Sequence, residues 1–212
     1  MKQLPVGIQS FPKLRESNCL YVDKTADCLR LIESGSVLFL SRPRRFGKSL
    51  LASTLEEIFK GNKALFEGLA IYDKWDWTRT YPVVRIDWAN IAHRTPEIME
   101  EATMHRLATT AEQYGVVLTS KHSVVAFQEL IEKLHAKTNT RVVVLVDEYD
   151  KPIIDALSTP DFEVFRSFLQ DFYGIMNGSD EHLHFVFFIG VSKFAELSVF
   201  SGLSNLDDIT LN

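Results

Sequence analysis

Residues 37–55, VLFLSRPRRFGKSLLASTL, decide how the rest of the chain is read. Val37-Leu38-Phe39-Leu40 is a short apolar run of strand character. A basic turn containing Pro43 follows, then Gly47-Lys48-Ser49, then Leu50, Leu51, Leu55, Ile58 and Phe59 at helical spacing. Strand, turn and helix with Gly-Lys-Ser at the corner is the layout of a phosphate-binding loop. Amides at a helix start point at an anion, and the helix dipole favours negative charge there. Gly47 has no Cβ to keep a phosphate from the backbone. Lys48 is expected to reach the terminal phosphates, and the Ser49 hydroxyl to complete the shell of a Mg²⁺ ion. Arg44, Arg45, Phe46 and Leu50 complete the expected nucleotide contacts. The full motif also asks for a glycine five residues before Gly47, and Arg42 stands there. The intact half alone suits an ordinary strand-to-helix turn with exposed basic side chains equally well.

The chain has 212 residues, enough for one large domain or two small ones with a substantial core. A hydrophobic fraction of 46% and a charged fraction of 24% are those of a soluble globular protein. A net charge of −5 excludes a generally nucleic-acid-attracting surface, so the arginines at 42, 44 and 45 are a local feature. They suit either a solvated turn or a phosphate-facing one. Cys19 and Cys28 form neither a disulfide framework nor a zinc site, and read as free thiols in a reducing compartment. His93, His105, His122 and His135 fall at no ligand spacing and read as surface or interhelix residues. The N-terminus lacks the apolar core of a secretory leader, and no run approaches the ~20 apolar residues of a membrane span. A cytoplasmic protein with no membrane contact is expected.

Pro5, Gly7 and Pro12 break up the first 24 residues, where 4–7 and 19–22 read as short extended pieces. Asp23 or Thr25 can cap a helix over 26–34 that Gly35 ends. Phe66, Tyr72, Trp75 and Trp77 suit a hydrophobic cover better than a base-stacking platform. A strand is expected over 82–88, and helices over 95–114 and 123–137, the first opened by Pro96. Residues 142–146 are continuously apolar, as in a parallel strand buried on both faces. A helix over 162–176 and a strand over 185–189 follow. Residues 209–212 read as a last strand or its beginning. Strands separated by helices, with no hairpin turns, predict an α/β fold: three layers, α/β/α, around a mainly parallel sheet. No linker or repeat interrupts it, so residues 1–212 read as a single domain.

Three strand ends carry polar groups: Gly47-Lys48-Ser49, Asp147-Glu148 and Ser192-Lys193. In an open parallel sheet ligands bind at the carboxyl ends of the strands, so these groups can converge. An apolar strand ending in Asp-Glu fits a carboxylate, Asp147, that holds Mg²⁺, followed by a general base, Glu148, that polarises water. Ser192 or Lys193 is expected near the γ-phosphate. Taken singly, a carboxylate pair also suits a helix cap, and Ser-Lys a turn.

Together with Leu4-Pro5-Val6-Gly7-Ile8-Gln9, Phe11, Tyr21-Val22-Asp23-Lys24-Thr25, Arg42-Pro43-Arg44-Arg45-Phe46-Gly47-Lys48-Ser49, Val146-Asp147-Glu148-Tyr149-Asp150 and Gly190-Val191-Ser192-Lys193-Phe194, the chain resembles the predicted AAA-ATPase-like family of bacteria over nearly its whole length. The resemblance makes Arg42 a family feature. It implies a P-loop NTPase fold of the additional-strand, catalytic-glutamate type, with Glu148 as the glutamate and ATP and Mg²⁺ as ligands. It also implies a C-terminal nuclease-like domain beyond this chain, which is expected to stop short of it. Oligomerisation is compatible with the resemblance, and nucleic-acid binding is not evident in these residues. No Asn-Lys-x-Asp guanine reader is present. The leading expectation is a Mg²⁺-dependent ATPase acting as a switch or motor for an attached effector. A P-loop scaffold that no longer hydrolyses is the alternative. A small-molecule kinase fits less well, because Asp147-Glu148 suits water activation.

Overall fold

Strands β1 (Val37–Ser41), β2 (Val83–Asp87), β3 (Val142–Asp147), β4 (Leu183–Gly190) and β5 (Asp207–Asp208) form one sheet in the order β2-β3-β4-β1-β5. Every pairing is parallel. The computed structural model describes residues 3–192, 199–200 and 206–210. The helices are α1 (Phe11–Glu16), α2 (Thr25–Ser34), α3 (Lys48–Phe59), α4 (Pro96–Gln113), α5 (Ser123–Thr138), α6 (Lys151–Ala156) and α7 (Phe162–Gly174).

Period-two alternation sorts the strand side chains into two cores. Val84, Ile86, Val142, Val144, Val146, Val186 and Phe188 face α4, α5 and α7. Val83, Val143, Leu145, Phe185, Phe187 and Ile189 face α3 with Leu55, Ile58 and Phe59. Every residue of β3 is buried, which explains its unbroken apolar run. The fold is therefore the three-layer α/β/α expected. β4 lies between β1 and β3, as the additional strand of the expected type.

Several elements differ in detail from the sequence reading. Helix α1 was not foreseen. Ser10 caps it, its hydroxyl accepting the Lys13 N–H at 3.4 Å, and Pro12 falls in the first turn, where a missing N–H costs nothing. Phe11 is fully buried, and its N–H donates to Ser53 Oγ at 2.9 Å, fixing α1 to α3. The last strand is β5, two residues earlier than 209–212, and Leu211 and Asn212 lie outside the described residues. Asp23 does organise the start of α2, accepting the Thr25 N–H and hydroxyl, and its other oxygen takes the Ala70 N–H. Phe66 is fully buried, and Tyr72, Trp75 and Trp77 pack over the α3-side core as an apolar cover.

Cys19 and Cys28 are free and buried, and burial pushes the Cys28 thiol up to about 12. Among the described residues no helix is long and apolar enough to cross a membrane.

Candidate functional site

The turn between β1 and α3 is built to leave amides unclaimed. The first N–H groups of any helix lack intrahelical partners. Here the residue preceding the helix is Gly47, which carries no side chain to cap them, and the first turn holds no acid. Gly47 sits in the left-handed region at φ 75°, which its missing Cβ allows. Arg45 also has a left-handed φ, 69°, at a cost of roughly 1 kcal/mol for a residue with a side chain. Arg44, Arg45, Phe46 and Gly47 are exposed, whereas Lys48 is buried. The Lys48 ammonium bends back over the turn and donates to the Pro43 carbonyl at 2.9 Å.

Arg42 has a different task from the glycine it replaces. Its φ is not positive, so the base of the turn makes no demand for glycine. Its N–H continues the ladder to the Gly190 carbonyl at 3.1 Å, and its guanidinium donates to the Thr210 carbonyl, with Ser41 N–H bonded to Thr210 Oγ1 at 3.1 Å. Arg42 thus straps the turn to the residues after β5.

At the end of β3, Asp147 is fully buried. Because alternate residues share a face, Arg85, Asp87 and Asp147 all turn toward α3, with Asp87 beside Asp147 in register. Arg85 Nη2 lies 3.5 Å from both the Ser49 carbonyl and Asp147 Oδ2, and Nη1 lies 3.2 Å from Glu56 Oε2. The start of the phosphate-loop helix and the end of β3 therefore share one neighbour. Burial foremost, then repulsion from Asp87, raises the Asp147 carboxyl, while the Ser49 hydroxyl and Arg85 oppose the rise. Asp147 Oδ1 is buried and makes no hydrogen bond among the described residues. An orphaned carboxylate oxygen beside a serine hydroxyl is a donor set that suits a hard divalent cation.

Glu148 follows in a left-handed conformation, φ 50°, partly buried. Burial raises its carboxyl, helped by Asp147, Asp87 and Asp150 and opposed by Lys151, so it holds a proton more readily than an ordinary glutamate. Its turn is braced from two sides. The Tyr173 hydroxyl donates to the Tyr149 carbonyl at 2.9 Å, and the Tyr149 ring lies over Gly190 so closely that a Cβ there would stand 2.2 Å from it. Asp150, buried, accepts three bonds of 2.9 Å through Oδ2, from the N–H groups of Val191 and Ser192 and from Ser192 Oγ.

The sheet thus brings Lys48, Ser49, Asp147, Glu148 and Ser192 to the carboxyl ends of its three central strands. The Ser192 hydroxyl is engaged by Asp150, and Lys193 lies outside the described residues. Arg85 and Asp150 were not foreseen. Arg85 is the one positive charge in β2, set between the apolar Val84 and Ile86, a signal that gains meaning only once β2 and β3 are in register. Asp150 carries no role in the sequence beyond closing the stretch Val146–Asp150, because its partners lie about forty residues on. Among the described residues the histidines make no ligand cluster: His93 contacts Asp155 at 2.9 Å and His135 contacts His182 at 2.8 Å.

A family model described as "Predicted AAA-ATPase" matches residues 5–200. A relative described as an uncharacterized protein in the vnfD 5′ region of Azotobacter chroococcum mcd 1 is 47% identical over 213 residues, which is 100% of this chain and 41% of that protein. Among solved structures, Drosophila ORC bound to poly(dA/dT) DNA and Cdc6 aligns with 95% of this chain and 28% of its own, at 16% identity and a TM-score of 0.44.

Proposed function

Because the chain belongs to the predicted AAA-ATPase family, and so is a P-loop NTPase module, we propose that it binds ATP with Mg²⁺ and hydrolyses it. The observation that carries the reading is the shared neighbour at Arg85, which sets the Ser49 carbonyl and the Asp147 carboxylate each 3.5 Å from one nitrogen.

In this reading the free amides from Gly47 to Leu50 take the phosphates, and the Lys48 ammonium leaves the Pro43 carbonyl for the β and γ oxygens. Arg44, Arg45 and Phe46 line the exposed approach, the arginines offering planar donors to phosphate oxygens. Ser49 and Asp147 hold the magnesium, with Asp147 Oδ1 free to do so. When bound, the ion neutralises charge on the phosphate oxygens. Glu148, with its raised carboxyl, accepts a proton from the attacking water, and a base poised nearer neutrality takes that proton more readily. Ser192 sits at the γ-phosphate end of the site. Residues 1–212 act as one ATPase domain in a cytoplasmic protein. The effector it switches or drives is, by the resemblance, a nuclease-like domain, and the module is compatible with oligomerisation.

Binding of labelled ATP tests the reading. Lys48→Ala is expected to weaken it by about 100-fold, the loss of a buried charge-assisted contact. Equal binding by both proteins would overturn the nucleotide site and leave an interaction scaffold. Glu148→Gln is expected to retain binding and to lose turnover by about 100-fold, the scale of a removed general base. Unchanged turnover removes Glu148 from that role.

A further inference from the structure

The phosphate turn and the Glu148 turn are not neighbours in the sheet, because β4 separates β1 from β3. Besides the Arg85 bridge between Ser49 and Asp147, what fixes Glu148 relative to Lys48 passes through the exit of β4, residues 190–192. From the phosphate side two bonds reach that exit: Arg42 N–H to the Gly190 carbonyl at 3.1 Å, and Ser41 Oγ to the Val191 carbonyl at 3.0 Å. From the acid side, Tyr149 lies on Gly190 and its hydroxyl donates to the Ser192 carbonyl. The group that gathers the exit is Asp150. One oxygen of a carboxylate buried to 1% exposure accepts two successive backbone N–H groups and a hydroxyl. Charge-assisted bonds of this kind are roughly twice as strong as neutral ones and short enough to fix geometry.

We propose that Asp150 is a positioning residue which clasps the exit of β4 and thereby sets Glu148 against the phosphate turn, so that filling the phosphate site tightens residues 190–192. It touches no phosphate or water itself. Ser192 is on this account the residue that Asp150 holds, and its hydroxyl is one of three parallel attachments. The inference rests on the ATPase reading above and adds to it a residue and a route of coupling.

Amide hydrogen exchange on the whole chain, with and without a nonhydrolysable ATP analogue and Mg²⁺, tests the clasp separately from turnover. In the parent the analogue is expected to slow exchange at Val191 and Ser192. In Asp150→Ala their basal exchange is expected to rise by about tenfold, the scale of a lost charge-assisted bond, and the analogue's effect there to vanish while protection at Lys48–Leu51 persists. Turnover is expected to fall by about 30-fold in kcat with KM within about twofold, since only the transition-state geometry is disturbed. Asp150→Asn keeps one acceptor oxygen and is expected to fall between parent and Ala, which also decides the matter should the Ala variant not fold. Ser192→Ala, losing one attachment of three, is expected to cost about threefold in kcat. Undiminished protection of Val191 and Ser192 in the Asp150 variants would overturn the proposal. So would a Ser192→Ala loss larger than that of Asp150→Ala. Failure of the parent to bind the analogue would instead overturn the ATPase reading, and the basal exchange of the two amides still decides whether Asp150 clasps the exit.

Discussion

The two turns that flank β4 are opposites in construction. The phosphate turn is exposed from Pro43 to Gly47, carries two left-handed residues, and holds itself together through a lysine folded onto its own backbone. The acid turn is largely buried, lies on a glycine, and is bonded to α7 and to the exit of β4. One turn keeps donors free for something that arrives, and the other spends its groups on staying in place. Preorganised charge is effective only when its surroundings cannot relax, and an approach path works only when it is open. The division of labour follows from that.

The largest expected effect that would break the contrast is at Gly190. Gly190→Ala places a Cβ against the Tyr149 ring, and overpacking of that kind costs about 3 kcal/mol. A drop in Tm of roughly 10 °C follows for a domain of this size. Calorimetry checks it, and a variant as stable as the parent would mean that the acid turn is not rigidly seated.

Asp147→Asn comes next and tests the cost of the buried acid. Burial raises its carboxyl, so the folded state binds a proton more tightly than the unfolded chain. Stability from this group accordingly falls as pH rises from the ordinary carboxyl value through the raised one, and the penalty is complete above it. Without metal, the Asn protein is expected to be more stable by about 1 kcal/mol at neutral pH, the scale of an unmade bond to a buried polar group. The difference should close below the ordinary carboxyl value, where both states are protonated. Urea melts at neutral and acid pH read this directly, and a less stable Asn variant at neutral pH would show that Arg85 already satisfies the carboxylate.

The smallest effect is on the open side. Arg45→Gly relieves a left-handed arginine but loosens the unfolded chain, two terms of roughly 1 kcal/mol that nearly cancel. A change in urea midpoint stability beyond about 0.5 kcal/mol, the usual range for surface substitutions, would mean that the turn is more tightly built than its exposure indicates.

The same contrast explains what could be read from sequence. The buried strands announced themselves, since 142–146 and 185–189 are apolar and buried on both faces. Gly47-Lys48-Ser49 and Asp147-Glu148 stand out in the sequence because the phosphate and metal chemistry proposed for them would restrict residue type at fixed local spacing. Helix α1 is hidden by Pro12, which reads as a breaker in the sequence although it sits in a first turn. Arg85 and Asp150 were hidden because their meaning is nonlocal: one needs the register of β2 on β3, the other a partner on the far side of α7 in sequence. Local chemistry shows in a string of letters, and clasps between distant strands do not.

The arginine at position 42 has a mechanical consequence. A phosphate loop with glycine at both ends can pivot at both; this one is anchored at its base by Arg42 and passes through left-handed backbone at Arg45 and Gly47. The anchor runs through Thr210, so any tug on the residues after β5 is delivered to the base of the turn.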